Sequence, residues 1–245
     1  MSKNDRRPQV RTTPEDKARA GAERRVRRIV LVVIGVVLVA GWAYAGFQLT
    51  RPQEAAIATP IPATTTSSAD LTVREDSRRL NDVPNAKVTF VEFLDFECEA
   101  CGAAFPAIEE LRRTYGNRVS FVIRYFPIQS HFNALRAARA VEAAAQQGQL
   151  EAMYTKMYSA QTEWAEQQVP KDDVFRGYAQ ELGLDMAAWE AAYNATATTD
   201  RIQSDVQDGI SIGVQGTPTF FLNGKLIEPQ SFGELETLIQ QALAE

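Results

Sequence analysis

The chain has two cysteines among its 245 residues, three positions apart as Cys98-Glu99-Ala100-Cys101, directly after the apolar run Val88-Thr89-Phe90-Val91-Glu92-Phe93-Leu94. That placement constrains the fold more than any other feature. A strand, a tight turn and a C-x-x-C opening a helix is the order in which a βαβ frame presents a dithiol. A zinc site needs about four sulfur, nitrogen or oxygen ligands. Here a second cysteine pair is absent and His131 is the only histidine, so no metal is expected. Redox exchange and a static bridge remain. A bridge closing so short a loop removes little unfolded-state entropy, which weakens the second.

The first fifty residues set the compartment. Residues 1–28 hold ten Lys or Arg against four Asp or Glu, ending in Arg24-Arg25-Val26-Arg27-Arg28. They read as a basic cytoplasmic tail. Ile29–Phe47 then runs nineteen residues without a charge. As a helix this stretch covers about 28 Å at roughly 1.5 Å per residue, enough for a bilayer core. We expect a single transmembrane helix over 29–49, with Trp42 and Tyr44 near the far interface and the arginines inside. Ala43-Tyr44-Ala45 also has the small-x-small form of a cleavage site, so a cleaved signal peptide competes with this reading. The long charged flank and the full-length span favour a retained signal-anchor. Both readings export the rest of the chain. The expected localisation is the plasma membrane, single-pass, N-terminus cytoplasmic, with the cysteine domain extracytoplasmic, where disulfides form and persist.

The tail's ten basic and four acidic residues give it +6, and the rest of the chain, with 16 basic and 27 acidic residues, carries −11. No basic patch lies outside the tail, so nucleic acid is not an expected partner. Residues 50–83 shift to Pro, Thr, Ser and Ala, as in Thr59-Pro60-Ile61-Pro62-Ala63-Thr64-Thr65-Thr66-Ser67-Ser68. Such a stretch cannot bury a core and reads as a linker, with room for a short helix or strand around Leu71–Leu80. Residues 84–245 are expected to form one domain with a sizeable core.

Within that domain Lys87–Phe96 is apolar on both faces, the mark of a central strand. A helix from Cys98 carries Phe105, Ile108, Leu111 and Tyr115 at helical spacing and ends at Gly116-Asn117, with Pro106 expected to kink it. Strand Val119–Phe126 comes next. A helix-rich tract over about 130–198 comprises Phe132–Gln147, Gln149–Ser159, Val174–Leu182 and Met186–Tyr193. Trp164, Trp189, Met153, Met157 and Met186 are expected to pack it. A helix over Thr199–Ile212 leads to strands Thr219–Leu222 and Lys225–Ile227 around an Asn223-Gly224 turn. The last helix places Phe232, Leu235, Leu238 and Ile239 on one stripe.

This order, βαβ, helical block, ββα, together with Val91-Glu92-Phe93-Leu94-Asp95-Phe96-Glu97-Cys98-Glu99-Ala100-Cys101 and Gly213-Val214-Gln215-Gly216-Thr217-Pro218-Thr219-Phe220-Phe221-Leu222-Asn223-Gly224, resembles one family. It is similar to the DsbA-like thiol–disulfide oxidoreductases of the bacterial envelope over roughly residues 85–243. The resemblance implies an α/β thioredoxin fold with an inserted helical domain. It implies that Cys98 and Cys101 form a redox-active disulfide, with Cys98 exchanging with the partner and Cys101 resolving the intermediate. It also implies that Pro218 is cis and lies against the cysteines, with Thr217 pairing with the extended substrate backbone. Glu92 shares its strand face with Val88, Phe90 and Leu94, so its carboxyl is expected to be buried with a raised pKa. It precedes Cys98 by six, where the resembled enzymes place an acid beneath the resolving cysteine, and there it could take the proton of Cys101.

No organic cofactor or metal is implied. The partners implied are exported cysteine-containing proteins and a membrane redox partner, either a quinone-linked oxidase or a reductase. Two alternatives stand beside this reading. One is a dedicated envelope disulfide reductase, for instance in cytochrome maturation. The other is a non-catalytic, membrane-tethered thioredoxin-like binding module, which the two intact cysteines argue against. His131 and Asn133 fall where the inserted helix opens, and a capping or packing role is expected for them. Glu97 and Glu99 flank Cys98, and each is expected to oppose its thiolate by about half to one pKa unit, against a comparable pull from the helix N-terminus. Cys98 is then expected to titrate around 5–7, above the roughly 3.5 of the most oxidising relatives.

Overall fold

The computed structural model describes residues 71–81 and 83–245. The basic tail, the transmembrane helix expected over 29–49 and most of the linker lie outside the described residues. Among the described residues no helix is long and apolar enough to cross a membrane.

Five strands form one sheet in the order β1-β3-β2-β4-β5. β2 (Val88–Leu94) occupies its centre, as its two apolar faces demand. It runs parallel to β3 (Val119–Tyr125), from Val88 opposite Val119 to Leu94 opposite Tyr125. The parallel pair is joined by α1 (Glu99–Tyr115), the crossover that a parallel connection requires. β4 (Thr219–Leu222) pairs antiparallel with the other side of β2, and β5 (Lys225–Ile227) pairs antiparallel with β4. Asn223 and Gly224 turn this hairpin with φ of 49° and 77°, the left-handed pair that an Asn-Gly turn supplies at low cost. α8 (Phe232–Ala244) closes the fold, with Ser231 capping the N–H of Glu234.

The linker does not extend to residue 83: the short element allowed for around Leu71–Leu80 includes a strand, β1 (Arg78–Asn81), which pairs antiparallel with β3 at the sheet edge and sends Leu80 into the core. The Asn81 side chain pins this edge by donating to the carbonyls of Gly116 and Val119 and accepting from the N–H of Phe121. Four residues, two of them arginines, carry no alternation that tells a strand from a helix. α1 runs through Pro106 as one helix. The proline forfeits the single bond to the Gly102 carbonyl, a loss that does not divide the helix.

Between β3 and β4 lies the helical block: α2 (Ala134–Ala145), α3 (Leu150–Ser159), α4 (Gln161–Trp164), α5 (Asp172–Glu181), α6 (Met186–Asn194) and α7 (Thr196–Ser211). α2 is buried nearly all round, at Ala134, Ala137, Ala138, Ala140, Val141, Ala143 and Ala144. Its small side chains let α3, α5, α6 and α7 all pack against it. Met153, Met157, Trp164 and Trp189 are buried in the block. Each indole N–H finds a backbone acceptor, Trp164 on Met157 and Trp189 on Ala140, which meets the requirement of a buried donor.

The sheet separates two apolar clusters. Val88, Phe90 and Leu94 share one with Ile108 of α1 and the helical block. Val91, Phe93, Val122, Phe126 and Phe221 form the other, with Val206 and Ile212 packed against it. Phe90 anchors the first between the rings of Phe121 and Phe220, with centroids 5.4 and 5.5 Å away. Glu92 has the parity of Phe90 and therefore points into the first cluster.

Candidate active site

β2 ends at Leu94, and the four residues after it turn the chain into α1 with Cys98 as the N-cap. Cys98 holds an extended backbone, φ −69° and ψ 121°, and its side chain makes no cap bond of its own. Its N–H reaches the Asp95 carbonyl at 3.2 Å, and its carbonyl accepts the first helical bond from Gly102 at 3.1 Å. The sulfur is thus left facing the unused N–H groups of the first turn, where negative charge is favoured. Cys98 is partly exposed, while Cys101, one turn on, is buried at 1 % exposure; the two are unbridged.

This difference in setting splits their acidity. The Cys98 thiol is pulled down to about 5, first by the hydrogen bond it receives from Cys101, then by Thr217 and the N–H groups of Cys101 and Ala100, against the opposing effect of burial. Cys101 goes well above the ordinary thiol range, because burial and its bond to Cys98 both disfavour its thiolate and the charges of Glu92 and Cys98 add to the effect. The Thr217 carbonyl lies 3.4 Å from Cys98 Sγ, a contact in which only a protonated sulfur can donate. The Thr217 hydroxyl is buried with no hydrogen-bond partner among the described residues. The Thr217–Pro218 peptide bond is cis.

Glu92 is 2 % exposed. Burial, joined by the charges of Cys98 and Glu109, raises its carboxyl to about 8. Two clefts flank Pro218. One, of about 220 Å³, is lined by Ala100, Ala104, Phe220, Phe232 and Leu235; the other, of about 560 Å³, opens toward Gly213, Gln215 and Glu228. The fold therefore brings together all five residues singled out from the sequence: Glu92 from β2, Cys98 and Cys101 from the start of α1, and Thr217 and Pro218 from the loop before β4.

Three neighbouring residues behave differently from the sequence expectation. Glu97 does not act as a charge beside Cys98. Its carboxylate turns inward, at 1 % exposure, and accepts the N–H groups of Asn133 and Glu166. Asn133 stands at the N-cap of α2 but makes no cap bond; its amide donates to the carbonyls of Gln167 and Val169 and accepts from the N–H of Lys171. His131 pairs through Nδ1 with the buried Asp95, 2.7 Å away.

Two residues escaped the sequence reading altogether. Asp95 also accepts the N–H groups of Glu97 and Ile128, and burial lifts its carboxyl to about 6 against these three bonds. Gln161, at 7 % exposure, donates from Nε2 to the carbonyls of Phe96 and Cys98 at 2.8 and 2.9 Å. A turn-forming Asp just before the C-x-x-C was a usable signal for the first. Nothing in the sequence marks Gln161.

With this geometry in place, likeness to known proteins is informative. A family model described as Thioredoxin matches residues 83–241. A solved thioredoxin-like oxidoreductase from Silicibacter pomeroyi DSS-3 is 25% identical, with a TM-score of 0.61, covering 75% of this chain and 99% of that one. Oxidised BdbD from Bacillus subtilis has the same fold at 18% identity and a TM-score of 0.61, covering 69% and 94%. Among curated relatives, a protein named Na(+)/H(+) antiporter NhaA 1 from Mycobacterium sp. (strain KMS) is 36% identical over 147 residues, 58% of this chain. The match spans 23% of that protein, so the chain corresponds to less than a quarter of the relative's length.

Proposed function

The chain belongs to this thioredoxin family, with the DsbA-like form of the fold, and from that premise we propose that it is a thiol–disulfide oxidoreductase, forming or exchanging disulfides in exported proteins through a mixed disulfide on Cys98. One observation carries the proposal: two thiols one helical turn apart, the outer acidified to about 5 and the inner held well above the ordinary range. A static bridge has no use for such a split, whereas exchange needs one good leaving group and one thiol that stays protonated until called on.

In the oxidising direction a substrate thiolate attacks Sγ of Cys98 in the Cys98–Cys101 disulfide. The bond between the two enzyme sulfurs breaks, and a bond between substrate sulfur and Cys98 forms. Cys101 leaves with the electron pair and takes a proton from Glu92, whose carboxyl near 8 can both give and recover it at neutral pH. A second substrate thiolate then attacks the substrate sulfur of the mixed disulfide, and Cys98 departs as a thiolate. Two electrons pass from substrate to enzyme. In reverse, the Cys98 thiolate opens a substrate disulfide, and Glu92 as carboxylate accepts the Cys101 proton so that Cys101 can resolve it. Thr217 and Pro218 would hold the extended substrate backbone, with the two flanking clefts taking its side chains.

The exchange itself requires neither metal nor organic cofactor. Turnover requires a membrane redox partner that resets the pair, and the charge-free span over 29–49 would keep the domain beside it on the outer side of the plasma membrane. A thiolate near 5 lies between the roughly 3.5 of the strongest oxidants and the roughly 7 of thioredoxin, which supports a milder oxidant. The transport named for the curated relatives stays with those proteins.

The deciding experiment is trapping. Cys101→Ala should accumulate mixed disulfides between Cys98 and exported proteins, and Cys98→Ala should give none. Equal trapping by both variants, or by neither, overturns the assignment.

A further inference from the structure

Gln161 opens α4, a helix of four residues lodged beside the first turn of α1. It is fastened there on its own side: its carbonyl accepts the N–H of Ala165 at 2.8 Å, and Trp164, three residues on, is fully buried with its ring edge-on to Phe175. Its amide is fastened on the other side, to the carbonyls of Phe96 and Cys98, the two residues on either side of Glu97. Two acceptors on one side of an amide admit only the NH₂ group, so the orientation of this side chain is set by chemistry. The amide also occupies the place where residue 102 would carry a side chain. A Cβ built on Gly102 would lie 1.8 Å from Oε1 and 2.7 Å from Cδ of Gln161. Gly102 sits inside a helix, where glycine is unfavourable relative to alanine, and the space taken by Gln161 explains it.

We infer that Gln161, contributed by the helical insert, is a positioning residue for thiol exchange: by holding the carbonyls of Phe96 and Cys98 it fixes the turn that aims Cys98 Sγ at Thr217 and at the first-turn N–H groups of α1. The inference rests on the reading of the pair as an exchanging dithiol. Asp95 holds the N–H groups of Glu97 and Cys98, and Gln161 holds the carbonyls on either side of Glu97. The Cys98 carbonyl shares itself between the Gly102 N–H and the Gln161 amide, and the Phe96 carbonyl meets the same amide. Losing the amide leaves the buried Phe96 carbonyl short of its donor and the Cys98 carbonyl with the Gly102 N–H alone, so the turn must shift to bring Phe96 a new one. Sγ then moves off the N–H groups and the threonine that favour its thiolate. The insert is thereby an active part of the thiol site, and its effect passes through backbone geometry rather than through charge.

The test uses the full-length chain and three variants. Gln161→Met keeps the length and volume of the side chain and removes the donors. Gly102→Ala keeps Gln161 and pushes its amide away. In the double variant the methionine end, held by no hydrogen bond, is free to turn aside from the new Cβ. Gln161→Met should raise the Cys98 thiolate midpoint by about half to one pH unit and shift the exchange equilibrium with glutathione three- to tenfold toward the enzyme disulfide, up to about 30 mV. Gly102→Ala should destabilise the chain that has Gln161 and shift the Cys98 midpoint in the same direction. In the Gln161→Met background, Gly102→Ala should be neutral or stabilising and leave the midpoint where Gln161→Met alone put it. A folded Gln161→Met variant with wild-type midpoint and equilibrium overturns the inference, and so does strict additivity in the double variant. Failure of the wild-type chain to exchange with glutathione at all would instead remove the exchange reading itself, so the two failures are told apart.

Discussion

Two groups of buried acids lie beside the central strands, and they are handled in opposite ways. On the side of α7, Arg124 is fully buried and stacks over Phe93; its fork reaches Asp205 and Asp208 at 2.8 and 2.5 Å. Arg74 adds a second fork on Asp208, and Asp205 also accepts the N–H of Tyr125. Burial works against the Asp208 carboxylate, yet its bonds to Arg74 and Arg124 hold it below the usual carboxylate range. On the side of α1, Glu92 forms no ion pair among the described residues and rises to about 8. Just past the end of β2, Asp95 has only His131 and two N–H groups among the described residues and rises to about 6. Burial is common to both groups. An arginine fork turns it into fixed charge and architecture, and the lack of one turns it into a proton store at neutral pH.

The comparison can be broken most severely at Arg124. Arg124→Leu should cost up to about 3–5 kcal/mol at pH 7, because it takes the fully buried guanidinium from both carboxylates and leaves Asp208 to Arg74 and Asp205 to Arg201. Denaturant unfolding measures this, and a loss below about 1 kcal/mol would mean that the two groups are not different in kind. The Cys98 midpoint should stay put.

Glu92→Gln should have the reverse signature. The Glu92 pKa is raised on folding, from 4.5 to about 8, so folding favours its protonated form. That contribution is complete below about pH 4.5 and is lost as pH rises through about 8. Replacing the acid should therefore stabilise the reduced protein, by on the order of 3 kcal/mol at pH 7, with the gain fading below pH 5. Resolution by Cys101 should slow by about 10²-fold. Asp208 has the opposite slope: its contribution is present above the ordinary carboxylate range and is lost as pH falls through its depressed pKa. Unfolding curves of Glu92→Gln at pH 5 and pH 8 that show equal gains would contradict the assignment.

The smallest effect is expected at the surface. Glu99 is exposed, and Glu99→Gln should lower the Cys98 midpoint by about half a unit or less, with a stability change within about 0.5 kcal/mol. A thiolate titration shifted by more than one unit would show that surface charge, rather than buried hydrogen bonding, sets the acidity of Cys98.

What could be read from the sequence tracks the range of the interactions involved. β2 announced itself because both of its faces are apolar, and Glu92 was found because period-two alternation placed it among Val88, Phe90 and Leu94. The Asn223-Gly224 hairpin was legible because its turn chemistry is local. Glu97 was misread as a flanking charge because its carboxylate accepts the N–H groups of residues 133 and 166, and backbone donors have no side-chain signature. Asp95 depends in the same way on Ile128 and on a histidine 36 residues away. Gln161 lies in a helix too short to show periodicity, and β1 is a charged edge strand whose only apolar residue is Leu80.

The Arg124 fork has a mechanical side as well. Its Nη1 grips the carbonyls of Leu71 and Thr72, and Arg74 is clamped to Asp208 two residues further on. A pull on the chain ahead of residue 71 is borne first by these charged bonds, which lead the load into α7 and β3. Strand β1 takes strain only after they give way. The cysteine turn lies on the other face, two strands in from the loaded edge, outside the line of force. A load on the N-terminal side of the domain can thus be taken up at its rim while the cysteine turn stays in alignment.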